Sequence, residues 1–229
     1  MPGLRKRIAS EGITPLQFAF QLVVVLLGVY LAIHFESKAE DRSRQAEALA
    51  MLGNALGELE WDEEELGRVI QRDREIHDTF VHMQDLLTVA SDAEEPALDS
   101  ILVFLTYLDT PFLRGSAFAA LVSSGDIGYI PESDLALRLA NLYEHQYDRL
   151  RNHGRLMDDT VQDAFWLPVR TTFWDFRYGR FLNRGEEANA VFWNLADGQR
   201  RQAESYLNRL EETLGEVTAV KESLAAYLN

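Results

Sequence analysis

Histidines come first among the residues that could do chemistry, because imidazole is a common metal ligand. His77 and His82 are five residues apart and would diverge on a helix, while His145 and His153 are eight apart, about two helical turns. Neither pair has the spacing of a metal site. We therefore expect these histidines to lie at the surface or in a hydrogen-bonded core, with no metal bound.

Carboxylates are the next candidates. The sequence has an acidic run that could attract Ca²⁺ or a basic partner: Glu58, Glu60, Asp62, Glu63, Glu64 and Glu65. On a helix these charges point around most of the circumference, and no EF-hand-like loop is present, so a solvated face is the favoured interpretation. Asp158, Asp159 and Asp163 are carboxylates of the kind that acid–base catalysis uses, but no pattern brings them together in a pocket.

Other chemical signatures are missing from the sequence. It has no Gly-rich phosphate loop, no Gly-x-Ser-x-Gly turn, no His-Glu-x-x-His motif and no cysteine. We therefore predict a protein that is not an enzyme and that has no cofactor. The net charge of −15 repels phosphate backbones, so nucleic acid is not an expected partner.

The most unusual stretch is residues 165–193, here called the aromatic–arginine segment, in which arginines are interleaved with aromatic side chains. Trp, Tyr and Arg are the residue types that carry interface energy, so a partner-docking surface is one interpretation. The alternatives are core filling, with arginine stems packed over rings, and a return to the bilayer at headgroup level. The candidate docking residues are Trp166, Arg170, Phe173, Trp174, Arg177, Tyr178, Arg180 and Trp193.

The first element that must position these residues is the segment 16–35, twenty residues without a formal charge when His34 is neutral. As a helix it would span roughly 30 Å, the thickness of a hydrocarbon core. Thr14 and Pro15 form a natural helix start. We predict a short basic tail at 1–14, a transmembrane anchor at 15–35 and an acidic, all-helical extramembrane domain at 36–229.

A buried core helix and a cleaved signal peptide are the alternatives to an anchor, and the Ser-Lys-Ala sequence at 37–39 is a weak cleavage site. The length of the apolar run and the helix-forming sequence across that site favour an uncleaved anchor. Basic residues flank both ends equally, and the compact Arg-Lys-Arg cluster at 5–7 favours a cytoplasmic N-terminus. Gly28 and Ala32 form a small-xxx-small pair that favours packing against another membrane helix.

Beyond the anchor, apolar residues at three- and four-residue spacing predict helices. The first is a long stalk that enters a bundle, with Asp73 and His77 among the residues that interrupt its apolar face. Further helices are predicted at 116–123, from a cap at Ser133 or Asp134 to a break at Pro168, and at 199–228. The predicted fold is all-α. The last helix could pair with the first within one chain or between two chains. The stalk's apolar positions are Leu49, Leu52, Leu56, Leu59, Leu66, Ile70, Phe80 and Leu87.

Two motifs carry a resemblance to a known family. The anchor reads GVYLA from Gly28 to Ala32, and the sequence from Phe118 to Glu144 reads FAALVSSGDIGYIPESDLALRLANLYE. This order of features resembles an uncharacterised family of small bacterial single-pass membrane proteins, a domain of unknown function. In that family a Gly-x-x-x-Ala anchor runs into a charged helix. An aromatic-x-x-Leu-x-x-x-Gly motif, Ile and a long Leu/Tyr helix follow. The resemblance covers the anchor and about the middle of the domain. It implies this architecture and no mechanism.

These features predict a non-catalytic, membrane-anchored accessory or structural subunit that docks on and stabilises a larger respiratory, photosynthetic or transport complex. The expected location is a bacterial inner membrane, with the main domain in the periplasm. The expected partners are the lipid bilayer and other membrane protein subunits, with self-association through helices as a further option. The alternative is a membrane-anchored helical sensor or ligand-binding module that acts through a separate partner.

Overall fold

The computed structural model describes residues 15–89, 101, 109–175, 177–181 and 186–229. Over this part of the chain the fold is all-α, as predicted, and a hairpin of two-residue strands is the only extended pairing. The chain divides into two compact units, residues 1–47 and 48–229. The predicted basic tail at 1–14 lies outside the described residues, as does Arg184 of the aromatic–arginine segment.

Helix α1 spans Pro15–Val89, 75 residues. Its predicted cap at Thr14 lies outside the described residues. In the first unit, every side chain from residue 20 to residue 35 is exposed. Within the described residues, α1 is the one helix that is long and apolar enough to cross a membrane. Its apolar stretch lies near the N-terminus. A signal sequence at that place has a similar length and composition, so this finding fits either a membrane span or a signal sequence.

In the second unit, α1 buries a stripe of residues that alternates steps of four and three from residue 48 to residue 87. A mean step of about 3.5 residues is the repeat of coiled-coil helices, which keeps one face against its neighbours along the whole length. The predicted stripe is wrong at its start, because Leu49 is 40% exposed while Ala48 is buried. The observed stripe is Ala48, Leu52, Ala55, Leu59, Asp62, Leu66, Val69, Asp73, Ile76, Phe80, Met83 and Leu87.

Helix α2 (Ser116–Ser123) and the 3₁₀ turn Asp126–Tyr129 explain the second motif of the resemblance. Phe118 and Leu121 bury their side chains against the core. Gly125 has a φ of 78°, the left-handed region that glycine enters at low cost, and its N–H donates to the Val122 carbonyl at 3.1 Å. The motif is therefore a short helix that is docked by two apolar residues and ended by a glycine.

A helical run from Ser133 to Phe173 contains α3 (Ser133–Ala140) and α4 (Tyr147–Thr160). The N-cap of α3 is Glu132, which makes no side-chain capping bond, so the predicted cap at Ser133 or Asp134 is wrong. The Glu132 carbonyl instead accepts the backbone N–H groups of Leu135 and Ala136, which are the first to bond within the helix.

Three wider π turns, Asn141–Gln146, Val161–Trp166 and Val169–Phe173, interrupt or follow these helices. The extra residue in each turn changes the register, so that neighbours such as Phe165 and Trp166 both point into the core. The predicted helix break at Pro168 is wrong: its φ and ψ are −58° and −43°, and the chain stays helical to Phe173. Because π turns on both sides shift the hydrogen-bond pattern, the missing N–H of Pro168 is accommodated.

Strands β1 (Trp174–Asp175) and β2 (Arg180–Phe181) form the antiparallel hairpin. Helix α5 (Glu186–Leu228) then begins well before its predicted start at residue 199. It buries residues at steps of four and three from Phe192 to Leu224, the same repeat as α1. Its side chains contact α1 in antiparallel order within the one chain, and pairing between two chains stays a prediction.

Polar contacts show that antiparallel order. Near the end of α5, Lys221 pairs with Glu63 of α1. Arg74 and Glu211 lie 2.5 Å apart, and the Gln84 amide nitrogen lies 3.4 Å from Asp197. Residues further along α1 therefore contact residues nearer the start of α5, as in two antiparallel helices.

Two hydrophobic cores fill the second unit. The first core contains α1 from Ala48 to Ile70, together with α2, α3, most of α4 and the later part of α5. The second core contains α1 from Ile76 to Leu87, the π turns near Phe165 and Phe173, and the start of α5. Asp73 lies on α1 between the two.

Candidate functional site

Burial divides the candidate docking residues into two groups. Trp166 and Phe173 are 6% and 3% exposed and belong to the second core, against which Trp174 packs partly buried. Core filling therefore describes Trp166 and Phe173, and because buried side chains are not available to a partner, both leave the docking set. The side chains that stay accessible are Arg170, Arg177, Tyr178, Arg180 and Trp193.

The hairpin presents Tyr178 at its turn. Trp174 pairs with Phe181 and Asp175 with Arg180 across the two strands. Asp175 accepts the Arg177 N–H at 2.9 Å through its carboxylate, and its carbonyl accepts the Tyr178 N–H at 3.3 Å. Gly179 has a φ of 60°, which closes the turn. A buried aspartate and a left-handed glycine thus fix the turn that carries the exposed tyrosine.

Arginines surround the exposed aromatic side chains. The guanidinium carbons of Arg177 and Arg180 lie 5.5 and 5.2 Å from the centre of the Tyr178 ring, and that of Arg170 lies 5.6 Å from the Trp166 ring. Tyr178 is 68% exposed. Guanidinium groups held near a ring lose little additional freedom on binding. Arg177 also pairs with the Asp175 carboxylate, at 3.5 Å from its Nε. The hairpin is therefore a basic, aromatic projection on an acidic protein.

The acidic run on α1 holds the segment 109–117 in place. Glu58 accepts hydrogen bonds from the Ser116 hydroxyl and from the Ala117 N–H, the latter at 3.1 Å. These groups open α2, so a carboxylate there satisfies unpaired amides and complements the helix dipole. Two turns further along α1, Glu65 accepts the Phe112 N–H at 3.3 Å.

Asp62 lies between these two glutamates and is completely buried. It accepts the Tyr147 hydroxyl at 2.5 Å and the Arg114 N–H at 2.8 Å. Burial raises the pKa of Asp62 to about 6, against the opposing effect of these two hydrogen bonds. Burial and the charge of Asp62 in turn raise the pKa of Tyr147, which stays protonated and donates.

Glu63 contacts α5, where it accepts a hydrogen bond from the Thr218 hydroxyl at 2.7 Å and pairs with Lys221. Hydrogen bonds from Lys221 and Thr218 lower the pKa of Glu63. The interpretation of the acidic run as a solvated face is therefore wrong for Glu58, Asp62, Glu63 and Glu65. Their charges bind backbone amides and side chains of other elements.

Asp73 is the least satisfied acidic residue of the interior. It is 4% exposed, and neither carboxyl oxygen has a hydrogen-bond partner in the described part of the chain. Burial and then the charge of Asp109 raise the pKa of Asp73 to about 7. Its charge, after burial, also contributes to the raised pKa of Tyr206 on α5. Asp73 therefore changes its charge near neutral pH within an apolar stripe.

The histidines lie in separate places. The His77 ring is 3.3 Å from its neighbour Asp78, and the His153 ring packs edge-on against Tyr206 at 5.5 Å. Burial and then the charge of Arg209 lower the pKa of His153. Within the described ranges, no three of the His, Asp and Glu side chains are grouped to hold a metal ion.

The anchor pair belongs to the first unit. Gly28 and Ala32 are one turn apart on α1, both are exposed, and a Cβ at Gly28 would have open space around it. Contact with another membrane helix at this pair stays a prediction.

Asp73 and Tyr206 were missed as candidate site residues, and Asp62 was named only as part of a solvated acidic run, although the sequence held a signal for the burial of both aspartates. Asp62 and Asp73 fall on the same four-three repeat as Leu59, Leu66 and Ile76, which a count from Ala48 would have shown. Tyr206 has no local signal, because its environment is built from segments far apart in sequence.

These features define the class of protein: it is all-α, with one candidate membrane span and a helical unit that carries a basic hairpin. The chain belongs to a family of unknown function (DUF6090), whose profile matches residues 21–166. The match includes most of the apolar segment and the motif from Phe118 to Gly125, and it ends before the hairpin and α5. An uncharacterised family is what the resemblance predicted. No curated protein and no solved structure matches the chain.

Proposed function

We propose that this protein is a non-catalytic, membrane-anchored accessory subunit that docks on a larger membrane protein complex. The apolar part of α1 would hold it in a bacterial inner membrane as a single-pass protein, with a cytoplasmic N-terminus and a periplasmic main domain. The observation that carries the docking proposal is Tyr178, exposed between Arg177 and Arg180 on a hairpin whose base lies against the second core.

The chemistry of the hairpin indicates the kind of partner. Tyrosine and arginine dominate the energetics of protein interfaces, because they combine apolar area with directional donors. The fixed turn reduces the ordering cost of binding. Three exposed arginines in a chain of net charge −15 complement an acidic surface on the partner. We therefore propose that the hairpin binds an acidic patch on a neighbouring subunit, with space in that patch for an aromatic ring.

The proposal of an anchor is supported by the exposure of apolar side chains between residues 20 and 35. Removing a Val, Leu, Ile or Phe side chain from water contributes about 1.5–3 kcal/mol, so lipid covering this helix would be strongly favourable. Alkaline extraction of native membranes tests this proposal, with the intact mass of the extracted protein measured. Retention in the membrane fraction at the full-length mass supports an anchor. Release into the supernatant, or a mass that lacks the apolar segment, contradicts it.

Purification in mild detergent from native membranes, followed by mass spectrometry, tests the docking proposal. We expect the wild-type chain to co-purify with a membrane complex in a fixed ratio, and Tyr178→Ala to lose that complex. Phe112→Ala is the matched control, because Phe112 is an equally exposed aromatic residue outside the hairpin (75% exposed). A wild-type chain that purifies alone as a monomer contradicts the proposal.

A further inference from the structure

A cavity of about 220 Å³ lies between the segment 110–113, helix α4 and helix α5. Tyr206 forms part of its wall, and the residue is 2% exposed. Gly154 keeps this wall open. A Cβ at Gly154 would lie 3.1 Å from the Tyr206 oxygen and 3.4 Å from the methyl carbon of Thr110. The phenol group thus reaches the cavity only because residue 154 has no side chain.

The polar groups around the cavity are mostly hydrogen-bond donors. Arg151 and Arg155 line it one helical turn apart on α4, and neither forms an ion pair with a described residue. Arg155 makes only a long contact, 3.4 Å, with the amide oxygen of Asn152. The hydroxyl of Tyr206, beside Gly154, adds a further donor.

One acidic side chain, Asp158, also lines the cavity, on the same helix as the two arginines, and the rest of the wall is apolar. Pro111, Leu113 and Leu150 supply that apolar part. Burial and the charge of Asp159 raise the pKa of Asp158. The lining holds two guanidinium groups against this one carboxyl group. An anion with an apolar body matches this lining.

We propose that this cavity binds a small organic carboxylate with a compact apolar body. Guanidinium groups pair with carboxylates through two parallel hydrogen bonds, and the apolar wall accommodates a hydrocarbon group. Burial and the nearby charges of Asp73, Asp158 and Asp109 raise the pKa of Tyr206, which keeps its hydroxyl protonated as a donor. The volume corresponds to roughly seven water molecules, which limits the ligand to a few carbon atoms or one ring.

This inference goes beyond the docking function, because it assigns the bundle a ligand. A bound carboxylate would contact α4, α5 and the segment 110–113 at once. It would tie together three parts of the bundle that α1 also holds through Asp62, Glu63 and Glu65.

Calorimetric titration of the full chain in detergent tests the inference, with butyrate and benzoate as probes. We expect both carboxylates to bind at least tenfold more tightly than the neutral butyramide and benzamide, and more tightly than inorganic phosphate. Arg151→Gln should weaken binding about tenfold or more, because a hydrogen-bonded charge partner is lost. Arg149→Gln is the matched control, since Arg149 is exposed on the same helix and does not line the cavity.

Two further variants give effects of opposite sign. Tyr206→Phe keeps the ring and removes one donor, so butyrate and benzoate should bind several-fold more weakly. Asp158→Asn removes the one carboxylate that lines the cavity, so both should bind more tightly. The inference is overturned if neither carboxylate binds, if the amides or phosphate bind as tightly, or if Arg149→Gln and Arg151→Gln weaken binding equally. Weaker carboxylate binding by Asp158→Asn also overturns it.

Discussion

Replacing Asp73 with leucine should stabilise the protein, and the gain should depend on pH. The pKa of Asp73 is about 7 in the folded protein, against 3.8 for an ordinary aspartate. These values differ by about three, and each pKa step is worth about 1.4 kcal/mol, so the ionised carboxylate costs on the order of 4 kcal/mol of folding free energy. Leucine removes that cost and fills a position between Val69 and Ile76 on the same apolar stripe.

The sign of the pH dependence follows from proton binding. Between about pH 4 and pH 7 the folded state holds a proton on Asp73 that the unfolded state has released, so the free energy of unfolding falls as the pH rises. The contribution is fully present below the unfolded pKa and is lost as the pH passes the folded pKa. The stabilisation by Asp73→Leu should therefore be small near pH 4 and about 4 kcal/mol near pH 8.

Guanidinium unfolding of the full chain in detergent, followed by circular dichroism across this pH range, measures both quantities. Asp62→Leu is the matched control, because it lies on the same stripe but accepts hydrogen bonds from Tyr147 and Arg114. Its replacement leaves two buried donors unpaired and should destabilise the protein by about 2 kcal/mol or more. This reasoning is refuted if Asp73→Leu destabilises the protein near pH 8, or if it stabilises the protein equally at every pH.

Three further predictions concern single positions in the second unit, each measured by the same unfolding assay. Tyr147→Phe should destabilise by about 1–3 kcal/mol by removing the buried donor to Asp62, and a loss below about 0.5 kcal/mol would contradict that bond. Gly125→Ala should cost about 1 kcal/mol at its φ of 78°, whereas Gly53→Ala in open space within α1 should stabilise by about 0.5–1 kcal/mol; the opposite order would contradict the turn geometry. Lys221→Met should cost less than about 1 kcal/mol, because its ion pair is partly exposed, and a larger loss would show that the pair is better shielded from water.

The sequence predicted the elements of this fold better than their registers. The Phe118 motif marks α2, because its turn and propensity signals are local. The burial of Asp62 follows from the repeat that begins at Ala48, but the contacts of Glu63 depend on which helix packs beside it, and that information is not local. Pro168 continues a helix because π turns flank it, which no propensity scale includes.

The candidate sites show the same limit. The aromatic–arginine segment was found from its composition, but composition does not separate the buried Trp166 from the exposed Tyr178. The cavity was not predictable from the sequence, since Thr110, Gly154 and Tyr206 are distant along the chain and meet only through packing.

Photo-crosslinking in native membranes tests the docking proposal most directly. A photoreactive amino acid at position 178 should form a crosslink to one membrane protein subunit, and the same residue at position 112 should not. The crosslink should weaken when Arg177 and Arg180 are replaced by glutamine and when the ionic strength is raised. Identical crosslinking from both positions, or none from position 178 in membranes that hold the full-length chain, would contradict an accessory subunit that docks through this hairpin.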